Sequence, residues 1–463
     1  MYNAYVTKLK NVRPHPNADK MLLADCFGNT VCVGLDAQEG DAILYFPTDG
    51  QLSKEYAEIN NLVRIKNEDG TYSGGYLDPD KRNIKAIKLR GEKSDGLTMP
   101  LSSLDAFGDT STLKVGDIIN VFNGHEICRK YIPKGNPQRV AREGGNRTRK
   151  KKVNIAPLFK EHVDTEQLAY NLDAFKFGDE IEITLKMHGT SQRTGYLPKL
   201  VGYKKSLLDK IFRREGTPIY EWGYVTGTRR TVIDDFENRV TSFYGSDAFR
   251  GPHAARLEGK LWKGETIYYE VVGFTDSGRP IMGDCDNKKT NDKEFIKQYG
   301  QTTTFSYGCA PHAHIVEGYN DSVPGYQNEY HSFEIPQSAM YVYRMNMTNE
   351  DGNVVEYTPD FMRYRCEQMG VEWVPVLWKG ILIDDNFDKS AGEYVKEFAE
   401  EFYDGPDPIG KTHVREGVVV RILNRPKFAA YKHKNFYFKV LEGIIKMDAS
   451  APDMEEAQEL MEE

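Results

Sequence analysis

The chain has 463 residues, of which 39% are hydrophobic, 12% aromatic and 28% charged, and its formal net charge is -8. That length exceeds one ordinary core and predicts two domains, and the composition excludes a disordered or fibrous protein. The acidic balance argues against a uniformly basic nucleic-acid coat, and no apolar run reaches membrane-spanning length.

The N-terminus "MYNAYVTKLKNV" alternates as a strand does and lacks the apolar core and cleavage site of a secretory signal, which predicts a cytoplasmic protein. Residues 1–127 read as a β-rich module. The short runs "KMLLADCFGNTVCVGL", "DAILYFPTDG", "NIKAIKLRG" and "VGDIINVF" are separated by Gly, Asn and Asp turns. Strands at this spacing favour a small closed barrel. In "CFGNTVCVG", Gly28 and Asn29 supply turn chemistry for a hairpin. Six cysteines, at 26, 32, 128, 285, 309 and 366, form no CxxC pair and no Cys/His ligand spacing, so a reduced chain without structural zinc is expected.

The character changes at 128–152, a linker whose stretch from Arg129 to Lys152 holds ten Lys or Arg against the single acid Glu143. It is either a solvated basic segment or a strip that tracks phosphates. From 153 onward helices and strands mix. "DTEQLAYNLDAF" and "DDNFDKSAGEYVKEFAEEFYDG" read as helices, whereas "DEIEITLKMHG", "TIYYEVVGF", "AMYVYRMNM", "REGVVVRIL" and "KNFYFKVLE" read as strands. Residues 447–463 form an acidic tail, and no repeat of solenoid period is present.

The stretch "EITLKMHGTSQRTGY" ends a strand-like run on a lysine followed by His, Gly, Thr and Ser. A solvated edge lysine is the plain alternative to a nucleophile. Three later strand-like runs each carry a charge inside apolar sequence: Glu270 in "YYEVVG", Glu416 in "REGVVVR" and Lys439 in "FYFKV". Buried charges are costly unless paired or ligand-bound, so four of mixed sign point to strands converging on a polyanion and a metal. Each could instead lie on the solvent face of its own strand.

The ordered set "KMHGTS", "GTRR", "YYEVVG", "YVYRM", "REGVVVR" and "FKV" resembles the motifs of the covalent nucleotidyltransferase superfamily of ligases and capping enzymes. KxHG followed by Thr is similar to RNA ligases rather than to DNA ligases, whose usual form is KxDG. A β-barrel ahead of the transferase resembles the two-domain Deinococcus-type RNA ligases. The fold so implied is α+β: an N-terminal oligonucleotide-binding-like β-barrel, then a nucleotidyltransferase (ATP-grasp-like ligase) domain of antiparallel sheets and helices over 153–446. "VRPHPNADKMLLAD" also resembles the first hairpin of tRNA-binding barrels, although His-Pro-Asn is in any case good turn chemistry.

The resemblance implies that Lys186 attacks the α-phosphorus of ATP, expels pyrophosphate and becomes a lysyl-adenylate, which requires a neutral amine. It implies Mg2+ or Mn2+ held by Glu416, with Glu270 on the ribose hydroxyls or in the metal shell. Lys439 is expected on the α-phosphate, Tyr343 on adenine, and Arg229 on the ribose or an acceptor 5'-phosphate. His188 stands beside the nucleophile, and Gly189 permits close backbone approach by the nucleotide. AMP then passes to the 5'-phosphate of a broken RNA, and a 3'-hydroxyl displaces it. The partner so implied is RNA with such a break, in a nicked duplex or a structured RNA.

Two departures stand out. Leu185 precedes the lysine where several RNA ligases carry Glu, so adenine must be read elsewhere, and Tyr437 occupies the place of a second motif lysine for which Lys434 or Lys446 could substitute. The spans 276–338 and 348–410 exceed a minimal transferase and predict insertions. A GTP-using guanylyltransferase and a non-catalytic RNA-binding protein are the alternatives.

Overall fold

The computed structural model describes the chain except for residues 1, 49, 67–71, 91, 132–154, 163–164, 207–215, 234, 238–243, 245, 291, 320–328, 385–388, 426, 443–444 and 447–463. Most of the basic linker and the acidic tail therefore lie outside the described residues. The chain divides into two units, Met1–Lys134 with Lys439–Asp453, and Gly135–Phe438 with Met454–Glu463. It is a mixed α+β protein, mostly sheet with few helices.

The first unit is built from short strands. An antiparallel sheet runs Leu97–Pro100, Ala42–Phe46, Ala4–Lys8, Ile118–Ile119, and a second joins Lys10–Pro14, Leu22–Cys26 and Asn29–Val33. Alternation places Ala4, Val6, Leu44 and Phe46 in one core with Leu52, Tyr56 and Leu104. Among the described residues none of these sheets closes on itself, so the expected closed barrel is not formed. Ile445–Lys446 joins this unit in parallel with Ala86–Leu89.

The hairpin turn lies one residue earlier than the sequence suggests. Phe27 and Gly28 carry the positive φ angles, 50° and 69°, and Cys26 pairs directly with Asn29. Phe27 tolerates this backbone while its ring packs near Tyr5 and Tyr45. Asn29 is a buried strand residue that donates to Tyr45 Oη. The His-Pro-Asn turn has a structural job: His15 Nε2 lies 3.1 Å from the Leu89 carbonyl, and Asn17 donates to that of Arg90.

The second unit contains two larger sheets. One holds seven strands, with Thr217–Gly227, Thr190–Lys204, Glu265–Gly273 and Ser338–Thr348 as successive antiparallel neighbours. The other runs Glu166–Gln167, Ala430–Lys434, Gly417–Ile422, Glu180–Lys186, Val376–Ile381. Its Ile181, Ile183, Val418, Val420 and Ile422 pack on helix Ala391–Tyr403 through Val395 and Ala399. That helix starts at a capping box formed by Ser390 and Glu393. Helix Pro359–Met369 buries Met362, Cys366 and Met369 against Tyr269, Val271, Met340 and Val342 of the first sheet.

Two elements differ from their predicted type. "DTEQLAYNLDAF" holds the short strand Glu166–Gln167 and two 3-10 turns rather than an α-helix. "KNFYFKVLE" was expected to be a strand, yet Phe436–Leu441 is a helix. Asn435 decides this: its Oδ1 accepts the backbone N–H of Tyr437 at 2.7 Å and of Phe438 at 3.4 Å, an N-terminal cap that aromatic β-propensity conceals.

Candidate active site

Lys186 ends the Glu180–Lys186 strand, and period-two alternation sends Glu182, Thr184 and Lys186 to the face opposite buried Ile181 and Ile183. That face is one wall of a cleft within the second unit. Lys186, Glu270, Arg229, Tyr343 and Ser191 all line it, together with Lys432, Arg421, Arg363, His162 and Glu182. Residues from seven parts of the sequence thus meet in one concavity.

Around Lys186 the charges are tightly arranged. Lys186 Nζ donates to Glu416 Oε1 at 2.5 Å, and Lys434 Nζ lies 3.5 Å from the same oxygen. Glu416 is fully buried, immediately before Gly417–Ile422, whose register places Gly417 opposite Lys186 on one side and Lys434 on the other. His188 Nδ1 is 3.7 Å from Glu416 Oε2. The imidazole sits edge-on between Phe305 and Phe438, each 4.7 Å away, and the His188 backbone N–H donates to Tyr307 Oη at 2.7 Å. His188 is therefore a buried partner of Glu416.

Across the cleft, the pairing of Thr190–Lys204 with Glu265–Gly273 sets Ser191 opposite Glu270. Ser191 Oγ and Tyr343 Oη are 2.8 Å apart, which fixes the Tyr343 ring. Burial, then the Glu270 charge, raises the Tyr343 phenol well above its usual range, so it stays neutral. His162 meets Tyr343 edge-on with centroids 5.0 Å apart, and Arg344 Nη1 faces its Nδ1 at 3.3 Å. Burial lowers the His162 pKa well below the usual value, and Arg344, Arg229, Arg193 and Lys432 push it further down. Burial and then four nearby cations disfavour a charged imidazole, and those same cations suit the cleft to an anion.

Gly189 is required for a reason other than the expected one. A Cβ there would lie 2.4 Å from the Val271 carbonyl oxygen and 2.7 Å from Val272 Cγ1, so the close approach is to the Glu265–Gly273 strand. This contact lets the loop after Lys186 cross tightly to the seven-stranded sheet.

Lys439 is not among the residues lining the cleft. It belongs to helix Phe436–Leu441, groups with the first unit, and has Nζ 3.4 Å from Asp95 Oδ2. The lysines that reach the site are Lys432 and Lys434, two apart on the Ala430–Lys434 strand and so on one face. The signal was the alternating "KHK" just before the helix. Tyr437 does not replace a lysine there: its hydroxyl donates to Asp292 at 2.7 Å and its ring stacks on Phe295. Sequence reasoning also missed Glu182, Arg363, Arg421 and His162.

The hard oxygens suited to Mg2+ or Mn2+ are those of Glu416 and Glu270. Glu416 already collects two ammonium groups on one oxygen, as expected of a carboxylate that serves a strongly charged site, and Glu270 shares the cleft with Lys186.

No protein-family model matches the chain, and no curated protein matches it. Solved structures do. Naegleria gruberi RNA ligase with PPi aligns with a TM-score of 0.52 and 15% identity over 94% of this chain and 97% of that one. A variant of that ligase with ATP and Mn aligns with the same score, identity and coverage. Another variant with ATP and Mn aligns at 0.52 with 16% identity, again over 94% and 97%. Over nearly its whole length, then, this chain has the fold of the Naegleria gruberi RNA ligase.

Proposed function

We propose that the protein is an ATP-dependent RNA ligase that seals 3'-hydroxyl/5'-phosphate breaks through a lysyl-adenylate. The observation that carries this is the ion-paired triad of Lys186 with buried Glu416 and Lys434, at a cleft whose walls hold Glu270, Arg229, Tyr343 and Lys432. The shared fold with an RNA ligase whose structures contain ATP, PPi and Mn supports it.

Glu416 aims the Lys186 side chain before nucleotide enters. For attack, the ammonium gives up its proton to water and the Nζ lone pair forms a bond to the α-phosphorus of ATP, while the bond to the bridging oxygen breaks and pyrophosphate leaves. Charge that builds on the α-phosphate oxygens meets Lys434 and Lys432. Arg229 and the cationic environment of His162 complement the remaining phosphates. A divalent cation near Glu416 and Glu270 would neutralise phosphate charge and favour the uncharged amine. Transfer of AMP to an RNA 5'-phosphate and attack by the 3'-hydroxyl complete the reaction.

We read residues 1–127 as an oligonucleotide-binding-like module that contacts RNA, the substrate as a nicked duplex or structured RNA, and the protein as cytoplasmic. Among the described residues no helix is long and apolar enough to cross a membrane. Incubation with α-labelled ATP and Mn2+ is expected to label the wild type and to leave Lys186→Ala unlabelled. Label retained by Lys186→Ala refutes the assignment, preferential labelling by GTP selects a guanylyltransferase, and salt-sensitive RNA binding without any adduct selects a non-catalytic binding protein.

A further inference from the structure

Leu185 leaves the base without the acidic reader found beside the lysine in several RNA ligases, and its backbone N–H is already donated to the Pro375 carbonyl. The cleft contains another candidate. Glu182 lies on the same strand face as Lys186, four residues back, so its Cα is about 13 Å from that of the nucleophile. A ribose and a base fit between them. Along that path the strand register sets Thr184 beside Val419 and Glu182 beside Arg421, while Met362, Val374 and Phe428 provide apolar lining suited to the faces of a planar ring.

Glu182 is only 2% exposed, yet its side chain is held by basic partners. Arg363 Nη1, from helix Pro359–Met369, donates to its Oε2 at 2.8 Å, and Arg421 and Lys379 are its cross-strand neighbours. Arg363 is itself anchored by Asp360 at 2.6 Å. Among the described residues Glu182 Oε1 accepts no hydrogen bond. A buried carboxylate with one oxygen tied and the other directed to a cleft is costly unless a ligand supplies a donor.

We propose that Glu182, positioned by Arg363, determines base specificity: its Oε1 accepts a hydrogen bond from the exocyclic amine of adenine and repels the carbonyl that guanine carries at that place. This rests on the lysyl-adenylate reading above. Only one oxygen remains available, which matches a single amine donor and not the paired donors on the guanine edge.

The test measures covalent adduct by intact mass with ATP, GTP and purine riboside triphosphate, which lacks the exocyclic amine. The wild type should form adduct roughly 10- to 100-fold more slowly with purine riboside triphosphate than with ATP. Glu182→Gln, whose amide can donate to a carbonyl, should narrow the ATP-to-GTP ratio by about tenfold or more. Equal wild-type rates with ATP and purine riboside triphosphate overturn the proposal without any variant, as does a wild-type preference for GTP. An equal loss on all three nucleotides in Glu182→Gln also overturns it, since that is a structural effect alone. Absence of adduct with every nucleotide in the wild type would instead bring down the lysyl-adenylate reading itself.

Discussion

Replacing Lys434 or Lys432 with methionine tests which lysines face the reacting phosphate. Lys434 Nζ lies 3.5 Å from Glu416 Oε1, and at an effective dielectric of about 20 two charges at that separation interact by roughly 5 kcal/mol. A phosphate oxygen placed beside the same ammonium experiences an interaction of that scale. Only the part that grows in the transition state accelerates the reaction, and removal of one such donor typically costs about 3–4 kcal/mol. Adduct formation should therefore slow by roughly 100- to 1000-fold in Lys434→Met and Lys432→Met. Lys439→Met should change it little, because that side chain is occupied with Asp95. Rapid-quench measurement with saturating α-labelled ATP gives the rate, and thermal unfolding checks that each variant is folded. Undiminished rates in Lys432→Met and Lys434→Met, with a large loss in Lys439→Met, would refute the assignment and return the phosphate role to Lys439.

Arg365→Met removes a bidentate partner, at 2.9 and 2.8 Å, from the fully buried Glu265, and should destabilise the second unit by about 3–5 kcal/mol in urea unfolding. Gly189→Ala drives a Cβ to within 2.4 Å of the Val271 carbonyl, so both melting temperature and adduct formation should fall, with a cost of roughly 1–3 kcal/mol; an unchanged melting temperature would contradict the contact. Burial, then Arg256 and Arg250, lowers the His253 pKa to about 4. Because the unfolded chain binds this proton more tightly, His253 costs the native state stability as pH falls from about 6.5 toward 4, and it has no such effect above that window. His253→Phe should abolish roughly 2 kcal/mol of the stability that the wild type loses between pH 7 and pH 5; identical pH dependence in the two proteins would show that His253 is not the group responsible.

Much of the site was legible because charge inside a β-run has few inexpensive explanations. Lys186, Glu270 and Glu416 lie in or beside apolar strands, and the structure brings Glu416 into contact with Lys186 and sets Glu270 in the same cleft. Arg229 and Tyr343 line that cleft as well. The run "NFYFKV" misled for an equally physical reason. Aromatic and β-branched residues favour strands locally, but Asn435 caps a helix there, and the strand is the preceding "KHK", whose Lys434 lies beside Glu416. In the first unit the alternation of short strands was readable, whereas closure of a sheet depends on long-range pairing that no local pattern encodes.

By itself the sequence determined the strand character of the segments around Lys186, Glu270, Tyr343 and Glu416, and the chemistry those side chains offer, because period-two alternation and the cost of burying charge are local properties. Tertiary structure alone decided that Lys434 shares a carboxylate with Lys186, that Gly189 presses on the Val271 carbonyl, and that Glu182 faces the cleft with Arg363 on one of its oxygens. Those partners lie 82 to more than 200 positions apart along the chain or on different sheets. Only the folded pairing of strands and the packing of helix Pro359–Met369 brings them within bonding distance.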